Sequence, residues 1–462
     1  MEWFFKIFKT EESTYVYDAR TNAFLRLSEG FNQDNLLEEI NRRYEEHFGE
    51  DISKRFLGIE KILFPVDRDQ IIEKVKHEMK ELVLNVTENC NFRCDYCIYG
   101  GKYFFERTHS LQRMNREIAQ RAIDIFFSHN DQVDPVYIGF YGGEPLMAYD
   151  LIKWCVDTVK EQYNNKHVIF GMTTNGSLLT PEKFDFLAKN DFNLLVSIDG
   201  PKAIHDRNRK LIKGLGTYEI IMKNLKRLKE YAPDYYKEIG FIATISNPME
   251  LKAISDFFKN DDLLKGHRII ISFVNPYDTS IDIPSHPDEV VDNMFLDLAN
   301  LHHTSILRQS GYSALLQRMF DPDLKVIYER DMSILGSYVP TKGACIPGNR
   351  KIFVTTSGDI QMCERVGKAF KIGNVYTGID YDKIVELVDE YVELMQDCRT
   401  CWAVRLCRPC HAYFRKNDKL SLERKREVCP TLRDNIVRAL YIYVKTYEKS
   451  PEALKQYIEQ LP

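Results

Sequence analysis

Leu82-Val-Leu-Asn-Val-Thr87-Glu-Asn-Cys90-Asn-Phe-Arg-Cys94-Asp-Tyr-Cys97 is the stretch from which the rest of the chain can be read. Leu82–Thr87 is a short, nearly continuous apolar run rich in branched side chains, which predicts a strand buried on both faces. Three cysteines follow within ten residues, so they stand at that strand's carboxyl end. Three thiolates from one loop suit a soft metal or an iron–sulfur cluster. A structural zinc knuckle would need a fourth ligand, and His109 is the only nearby candidate. Three ligands to a four-iron cluster instead leave one iron open.

Downstream, short apolar runs alternate with amphipathic stretches. Strands are predicted at Leu82–Thr87, Val136–Tyr141, Val168–Thr174, Leu194–Ile198, Ile239–Ile245 and Ile269–Val274, with helices near 115–128, 150–163, 181–189, 217–230 and 250–259. That alternation means βαβ units and a parallel sheet, either open and doubly wound or an incomplete (β/α) barrel. In both, the active site lies at the carboxyl ends of the strands. Upstream, residues 7–27 read as a small antiparallel meander, followed by helices near 33–48 and 51–59 and a linking helix near 69–79. Residues 280–335 look helical and connective, with His302 and His303 showing no obvious chemistry. From Gly343 the chain is cysteine-rich, with short strands at Lys351–Thr355 and Ile360–Met362 and little apolar core, a region expected to be held by metal.

The 462 residues are too many for one ordinary core. With 63 Lys+Arg against 68 Asp+Glu, the charge is near balance and gives no sign of a dedicated nucleic-acid surface. No apolar run approaches the roughly 18 residues that span a bilayer, and Met1-Glu2-Trp3-Phe4-Phe5-Lys6 lacks a signal-peptide pattern. A cytoplasmic protein is expected, whose 11 cysteines stay reduced and are not a disulfide framework. Cys90, Cys94 and Cys97 form one group; Cys345, Cys363, Cys398, Cys401, Cys407, Cys410 and Cys429 form another; Cys155, on an apolar helical stretch, reads as a buried core thiol.

Cys90-x3-Cys94-x2-Cys97, with Tyr96 before the third cysteine, resembles the signature of the radical S-adenosylmethionine (AdoMet) enzymes. Further matches fall at the predicted strand ends: Gly142-Gly143-Glu144-Pro145, Thr173-Thr174-Asn175-Gly176, Ser197-Ile198-Asp199-Gly200, then His205-Asp206-x-x-Arg209. The resemblance covers roughly residues 80–280 and implies the partial (β/α)6 barrel rather than the open sheet. It implies that AdoMet chelates the open iron of a cluster on Cys90, Cys94 and Cys97, and that an electron from the cluster yields a 5′-deoxyadenosyl radical that abstracts hydrogen. The cofactor carries that reaction while the protein binds, orients and excludes water. By the same resemblance Gly142 and Gly143 admit the methionyl amine, Glu144 accepts from it, Ser197 and Asp199 bond the ribose, Tyr96 packs near the adenine, Arg209 meets the methionyl carboxylate, and Thr174 and Asn175 complete the AdoMet site.

Cys345-x12-Gly358-x4-Cys363, Cys398-x2-Cys401-x5-Cys407-x2-Cys410 and Cys429 resemble the SPASM extension of these enzymes, which holds two auxiliary four-iron clusters. The family usually places three residues before its sixth cysteine, where Arg408-Pro409 supplies two. The resemblance assigns Cys345, Cys363 and Cys410 to one cluster and Cys398, Cys401, Cys407 and Cys429 to the other. Three [4Fe–4S] clusters in all are then expected. Seven thiolates for two four-iron clusters would leave one auxiliary iron open to a substrate thiolate. A pair of zinc ribbons, as a scaffold without catalysis, is the plainer alternative, and seven ligands fit two tetrahedral sites poorly.

The N-terminal residues resemble the winged-helix-like leader-peptide recognition domains of maturases that act on ribosomally made peptides. The expected organisation is a leader-recognition unit over 1–76, the barrel over 77–280, a helical linker over 281–336, the SPASM region over 337–436 and a C-terminal helix over 437–462. The resemblance favours a maturase that forms thioether crosslinks, of sactipeptide or ranthipeptide type, in a precursor peptide with a leader, served by a reductant such as flavodoxin or ferredoxin. The alternatives are an anaerobic sulfatase-maturating enzyme and a carbon–carbon crosslinking or epimerising maturase. In the sulfatase-maturating group an Asp follows the second SPASM cysteine; here Glu364 does, and it reads more simply as an ion-pair partner of Arg365.

Overall fold

The computed structural model describes residues 4–49, 52–341 and 343–461. The N-terminal meander forms as β1 (Phe5–Lys9), β2 (Thr14–Asp18) and β3 (Ala23–Arg26), an antiparallel sheet in that order. Phe5, Val16 and Leu27 pack on Leu36, Ile40 and Tyr44 of α1 (Leu36–Phe48) as a small core. The opposite face, with Phe8, Tyr17 and Phe24, packs against the C-terminal part of the chain. Because side chains alternate across a strand, one short sheet is covered on both sides. The predicted helix over 51–59 is not formed by the described residues: Ile52–Lys54 make a single 3-10 turn and Gly58 sits at φ +97. The chain instead straightens into β4 (Lys61–Leu63), which pairs in parallel with β11 (Tyr338–Pro340). Pairing with a strand far along the chain overrides the local helical pattern.

After α2 (Arg68–His77), capped by the Asp67 carboxylate, six parallel strands follow: β5 (Glu81–Thr87), β6 (Val136–Gly142), β7 (Val168–Thr174), β8 (Asn193–Ser197), β9 (Gly240–Ile245) and β10 (Arg268–Phe273). They are joined by α3 (Arg116–Phe127), α4 (Tyr149–Gln162), α5 (Pro181–Lys189), α6 (Lys202–Asn208), α7 (Tyr218–Tyr231), α8 (Pro233–Glu238) and α9 (Leu251–Asn260). Leu82, Leu84, Ile138, Phe140, Leu194, Val196 and Phe241 are all buried between strand and helix layers. The six strands and five principal helices coincide with the predicted alternation to within a few residues at each end.

Two long helices, α10 (Asp288–Arg308) and α11 (Ala314–Tyr328), lead to the cysteine-rich region. There β12 (Ile352–Val354) pairs in parallel with β5, and β13 (Asp359–Gln361), β14 (Lys371–Asn374) and β15 (Gly378–Ile379) continue antiparallel, so one sheet runs through ten strands from β10 to β15. The cysteine-rich region is therefore built onto the first barrel strand. It also has more apolar core than its sequence suggests: α12 (Tyr381–Met395) buries Ile384, Val385, Leu387, Val388 and Tyr391. A small hairpin, β16 (Arg415–Lys416) and β17 (Lys419–Leu420), precedes α13 (Leu422–Lys449), with α14 (Pro451–Glu459) last. α13 runs unbroken through the expected boundary at 436 and carries Cys429 and Pro430 inside it. Among the described residues no helix is long and apolar enough to cross a membrane.

Candidate active site and metal centres

The cysteine loop leaves β5 through an irregularity in the β5–β6 register between Asn85 and Thr87, the kind of local break that re-aims a strand end. Its position is fixed on the far side by Arg93 N–H donating to the Lys210 carbonyl at 2.7 Å and Asp95 N–H to that of Asn208 at 2.9 Å. Backbone amides turn toward the sulfurs: Phe92 N–H lies 3.3 Å from Cys90 Sγ and Tyr99 N–H 3.4 Å from Cys97 Sγ. Asn175 Nδ2 lies 4.0 Å from Cys90 Sγ. Burial pushes the Cys90 and Cys94 thiols up to about 12 and raises that of Cys97. A thiolate here therefore needs the positive charge of a metal centre, and the amides supply hydrogen bonds suited to a ligated sulfur. His109 does not join the group; its ring stacks on Tyr99 with centroids 5.8 Å apart.

Gly142 and Gly143 close β6 against that loop. A Cβ on Gly142, at φ +146, would stand 2.1 Å from the Thr87 carbonyl oxygen, and one on Gly143 would stand 2.3 Å from that of Asn89. The glycines are thus needed first so that the end of β6 can lie against the lead-in to the cysteines. Gly143→Ala should accordingly move residues 87–89 and weaken AdoMet binding at least tenfold, about 1.4 kcal/mol; isothermal titration against the reconstituted protein measures it, and an unchanged affinity would show that the loop can yield. Glu144 is buried and its carboxylate accepts from Thr174 Oγ1 at 2.7 Å, Asn175 N–H at 2.8 Å and Leu146 N–H at 3.1 Å. It ties β6 to β7, and burial holds its pKa above the ordinary value.

At the end of β8, Ser197 and Asp199 are buried. Asp199 Oδ1 accepts from Arg209 Nε at 3.0 Å and from Thr244 N–H at 3.0 Å, while its other oxygen receives the Tyr96 hydroxyl. The Arg209 guanidinium lies 5.5 Å from the Tyr96 ring centroid. The sequence reading gave Tyr96, Asp199 and Arg209 separate contacts with a ligand; the structure joins them in one charged network spanning the cysteine loop, β8, β9 and the segment after α6. His205 is fully buried, its Nδ1 accepting from Asp199 N–H at 3.3 Å and its Nε2 donating to Thr217 Oγ1 at 3.0 Å. Burial lowers its pKa to about 4, so it is a neutral strut.

Cys398, Cys401, Cys407 and Cys429 line one cavity of about 200 Å³, together with Lys425 and Arg433. Their convergence from a 3-10 turn, a loop and α13, around a space lined also by apolar residues, Asp397, Arg426 and the two cations named, fits a polynuclear anionic centre. Cys363 lies within electrostatic reach of Cys410, and Cys410 of Cys345. Tyr391 lies within electrostatic reach of Cys345, Cys398, Cys407 and Cys410. Its hydroxyl donates to the Pro409 carbonyl at 3.1 Å, which fixes the short Arg408-Pro409 spacer. Among the described residues no three His, Cys, Asp or Glu side chains converge tightly enough to hold a single metal ion. Cys155 is buried on α4 among Leu151, Ile152 and Val156. Glu364 pairs with Lys351 at 3.2 Å, and Lys351 also holds Glu81 at 3.2 Å. The expected Arg365 partner is thus corrected: its guanidinium lies 5.4 Å from the Tyr413 ring centroid. Lys351 stands one residue before β12, and the pairing of β12 with β5 brings it beside Glu81, which local sequence does not reveal.

Arg107 is a bridging residue that the sequence did not single out. Its Nη1 donates to the Glu364 carbonyl at 2.9 Å and its Nη2 to Gln361 Oε1 at 2.8 Å and the Gly367 carbonyl at 2.9 Å, clamping the loop after Cys97 to the segment around Cys363.

The sequence profile of the radical SAM superfamily matches residues 84–246. The chain is similar to the cysteine-type anaerobic sulfatase-maturating enzyme of Clostridium novyi, 29% identical over 348 residues, which is 71% of this chain and 86% of that protein. It is also similar to the radical SAM cyclopropyl synthase TigE of Paramaledivibacter caminithermalis, 27% identical over 213 residues, 44% of this chain and 40% of that one. Among solved structures, native anSMEcpe with bound AdoMet and Cp18Cys peptide superposes with a TM-score of 0.58 at 21% identity, covering 83% of this chain and 100% of that chain.

Proposed function

We propose that the chain, whose residues 84–246 match the radical SAM superfamily profile, is a peptide maturase that forms thioether crosslinks in a ribosomally made precursor. Cys90, Cys94 and Cys97 would hold the AdoMet-binding cluster, with Tyr96, Gly142, Gly143, Glu144, Thr174, Asn175, Ser197, Asp199 and Arg209 shaping the cofactor site. When bound, AdoMet and a four-iron cluster supply a carbon radical that abstracts hydrogen. The residues around the site would orient the bound cofactor: Asp199 and Arg209 hold the Tyr96 loop, and Glu144 holds the ends of β6 and β7 together.

The observation that carries the peptide reading is the N-terminal sheet. Its outer strands β1 and β3 have no further strand beside them among the described residues, and such edges accept an extended peptide by strand addition. A leader held there would deliver its core segment to the barrel mouth. Cys345, Cys363 and Cys410, one thiolate short of a full set, would leave an auxiliary iron for the donor cysteine's sulfur, while Cys398, Cys401, Cys407 and Cys429 complete the other cluster. A low-potential flavodoxin or ferredoxin in a reducing, cytoplasmic compartment would supply electrons.

The sulfatase-maturating relatives favour a second reading, oxidation of a single residue in a folding sulfatase. Anaerobic incubation of reconstituted enzyme, AdoMet and a cysteine-containing precursor separates the two by mass spectrometry. Thioether formation removes two hydrogens per crosslink and retains every sulfur. Replacement of a cysteine's sulfur by oxygen would establish the second reading, and AdoMet turnover with an unchanged peptide would count against both.

A further inference from the structure

We propose that Lys425 is a positioning residue for charge: a buried ammonium that makes the four-cysteine centre easier to reduce. The inference rests on the reading that Cys398, Cys401, Cys407 and Cys429 hold a four-iron cluster. Lys425, Cys429 and Arg433 are four residues apart on α13, so they share one helix face. All three line the cavity that the four cysteines surround.

Lys425 is 2% exposed. A charge so buried must be compensated. Its Nζ donates to the Leu394 carbonyl at 2.8 Å and lies within electrostatic reach of Cys398. Asp397 lies 3.7 Å away and is half exposed. Arg433 lies on the same face, with Nε donating to the Cys429 carbonyl at 3.3 Å. Carboxylates near the remaining walls are engaged elsewhere: Glu427 with Arg424 and Asp323 with Arg408. At the other cysteine groups Arg209 is met by Asp199 at 3.0 Å and Lys351 by Glu81 and Glu364, while Arg350 Nη1 reaches Cys345 Sγ at 3.9 Å. At the four-cysteine cavity the half-exposed Asp397 and the sulfurs share the counter-charge to Lys425.

Reduction of such a centre adds one electron, given by a low-potential iron–sulfur or flavin donor protein, and makes or breaks no bond. The centre becomes more negative by one unit. A fixed positive charge in a water-poor site stabilises the reduced form more than the oxidised form, because Coulomb attraction grows with the charge it faces.

The test is potentiometric electron paramagnetic resonance on the reconstituted full chain, with dithionite and mediators, alongside iron and sulfide content. A C398A/C429A variant identifies the signal of this centre by its loss. In K425M and K425Q that signal should appear at lower potential, with the reduced-to-oxidised ratio at least tenfold below wild type at any set potential, about 59 mV. K425R should stay with wild type. An unmoved signal at full iron content overturns the inference. So does loss of iron from both neutral variants but not from K425R, since the charge would then hold the cluster rather than tune it. If C398A/C429A keeps every iron and every signal, the cluster reading itself fails, whatever Lys425 does.

Discussion

A chain in which Cys90, Cys94 and Cys97 are all replaced by alanine should cleave no AdoMet while keeping about eight of about twelve irons after anaerobic reconstitution. The fold should survive the change. The loop is held by backbone bonds from Arg93 and Asp95 to residues 208–210 and by the Arg107 clamp on the segment near Cys363, none of which uses a sulfur. In the metal-free chain desolvation raises the pKa of each of the three thiols, which favours the neutral form. Removing them therefore strips no buried charge of its partner. Activity has no such reserve, because no other cysteine lies in the loop that follows β5. Iron and sulfide assays with chromatography of 5′-deoxyadenosine decide the matter. Continued cleavage would mean that the radical chemistry is centred elsewhere, and loss of all iron would mean that the three sites assemble as one.

Much of this architecture can be read from local sequence because parallel strands covered on both faces are nearly continuous apolar runs. Leu82–Thr87 and Val168–Thr174 could be placed without a structure for that reason. The cysteine spacing is equally local. What escapes is set by partners far away in the chain. The 51–59 stretch has helical composition, yet β4 beyond it is claimed by β11, some 277 residues on. Glu364 sits beside Arg365 in sequence and beside Lys351 in space, because β12 completes the barrel sheet at β5. The cysteine-rich region was expected to depend on metal for want of a core, but the apolar face of α12 supplies one. α13 passes position 436 without a break and carries Pro430 within it, continuity that only the folded chain reveals.

The Asp199–Arg209 pair carries the largest expected stability effect at the site, and its sign follows from burial. Asp199 is fully buried and the Arg209 side chain is 9% exposed, with Nε and Oδ1 3.0 Å apart. Asp199→Asn keeps the shape and one acceptor but leaves the guanidinium charged, buried and without its counter-ion. That should cost about 3–5 kcal/mol in the local opening of β8 and β9, read by hydrogen exchange at amides such as that of Thr244, which donates to Asp199. AdoMet binding should fall in step, because the Tyr96 hydroxyl loses the charged acceptor that holds its loop. Removing both charges in D199N/R209M should return most of the lost protection, since no uncompensated ion then remains. AdoMet binding should stay impaired in the double variant, because restored packing does not restore the charged network. Two results would contradict this account: exchange in D199N within 1 kcal/mol of wild type, roughly the worth of an exposed ion pair, or a double variant no better protected than the single one.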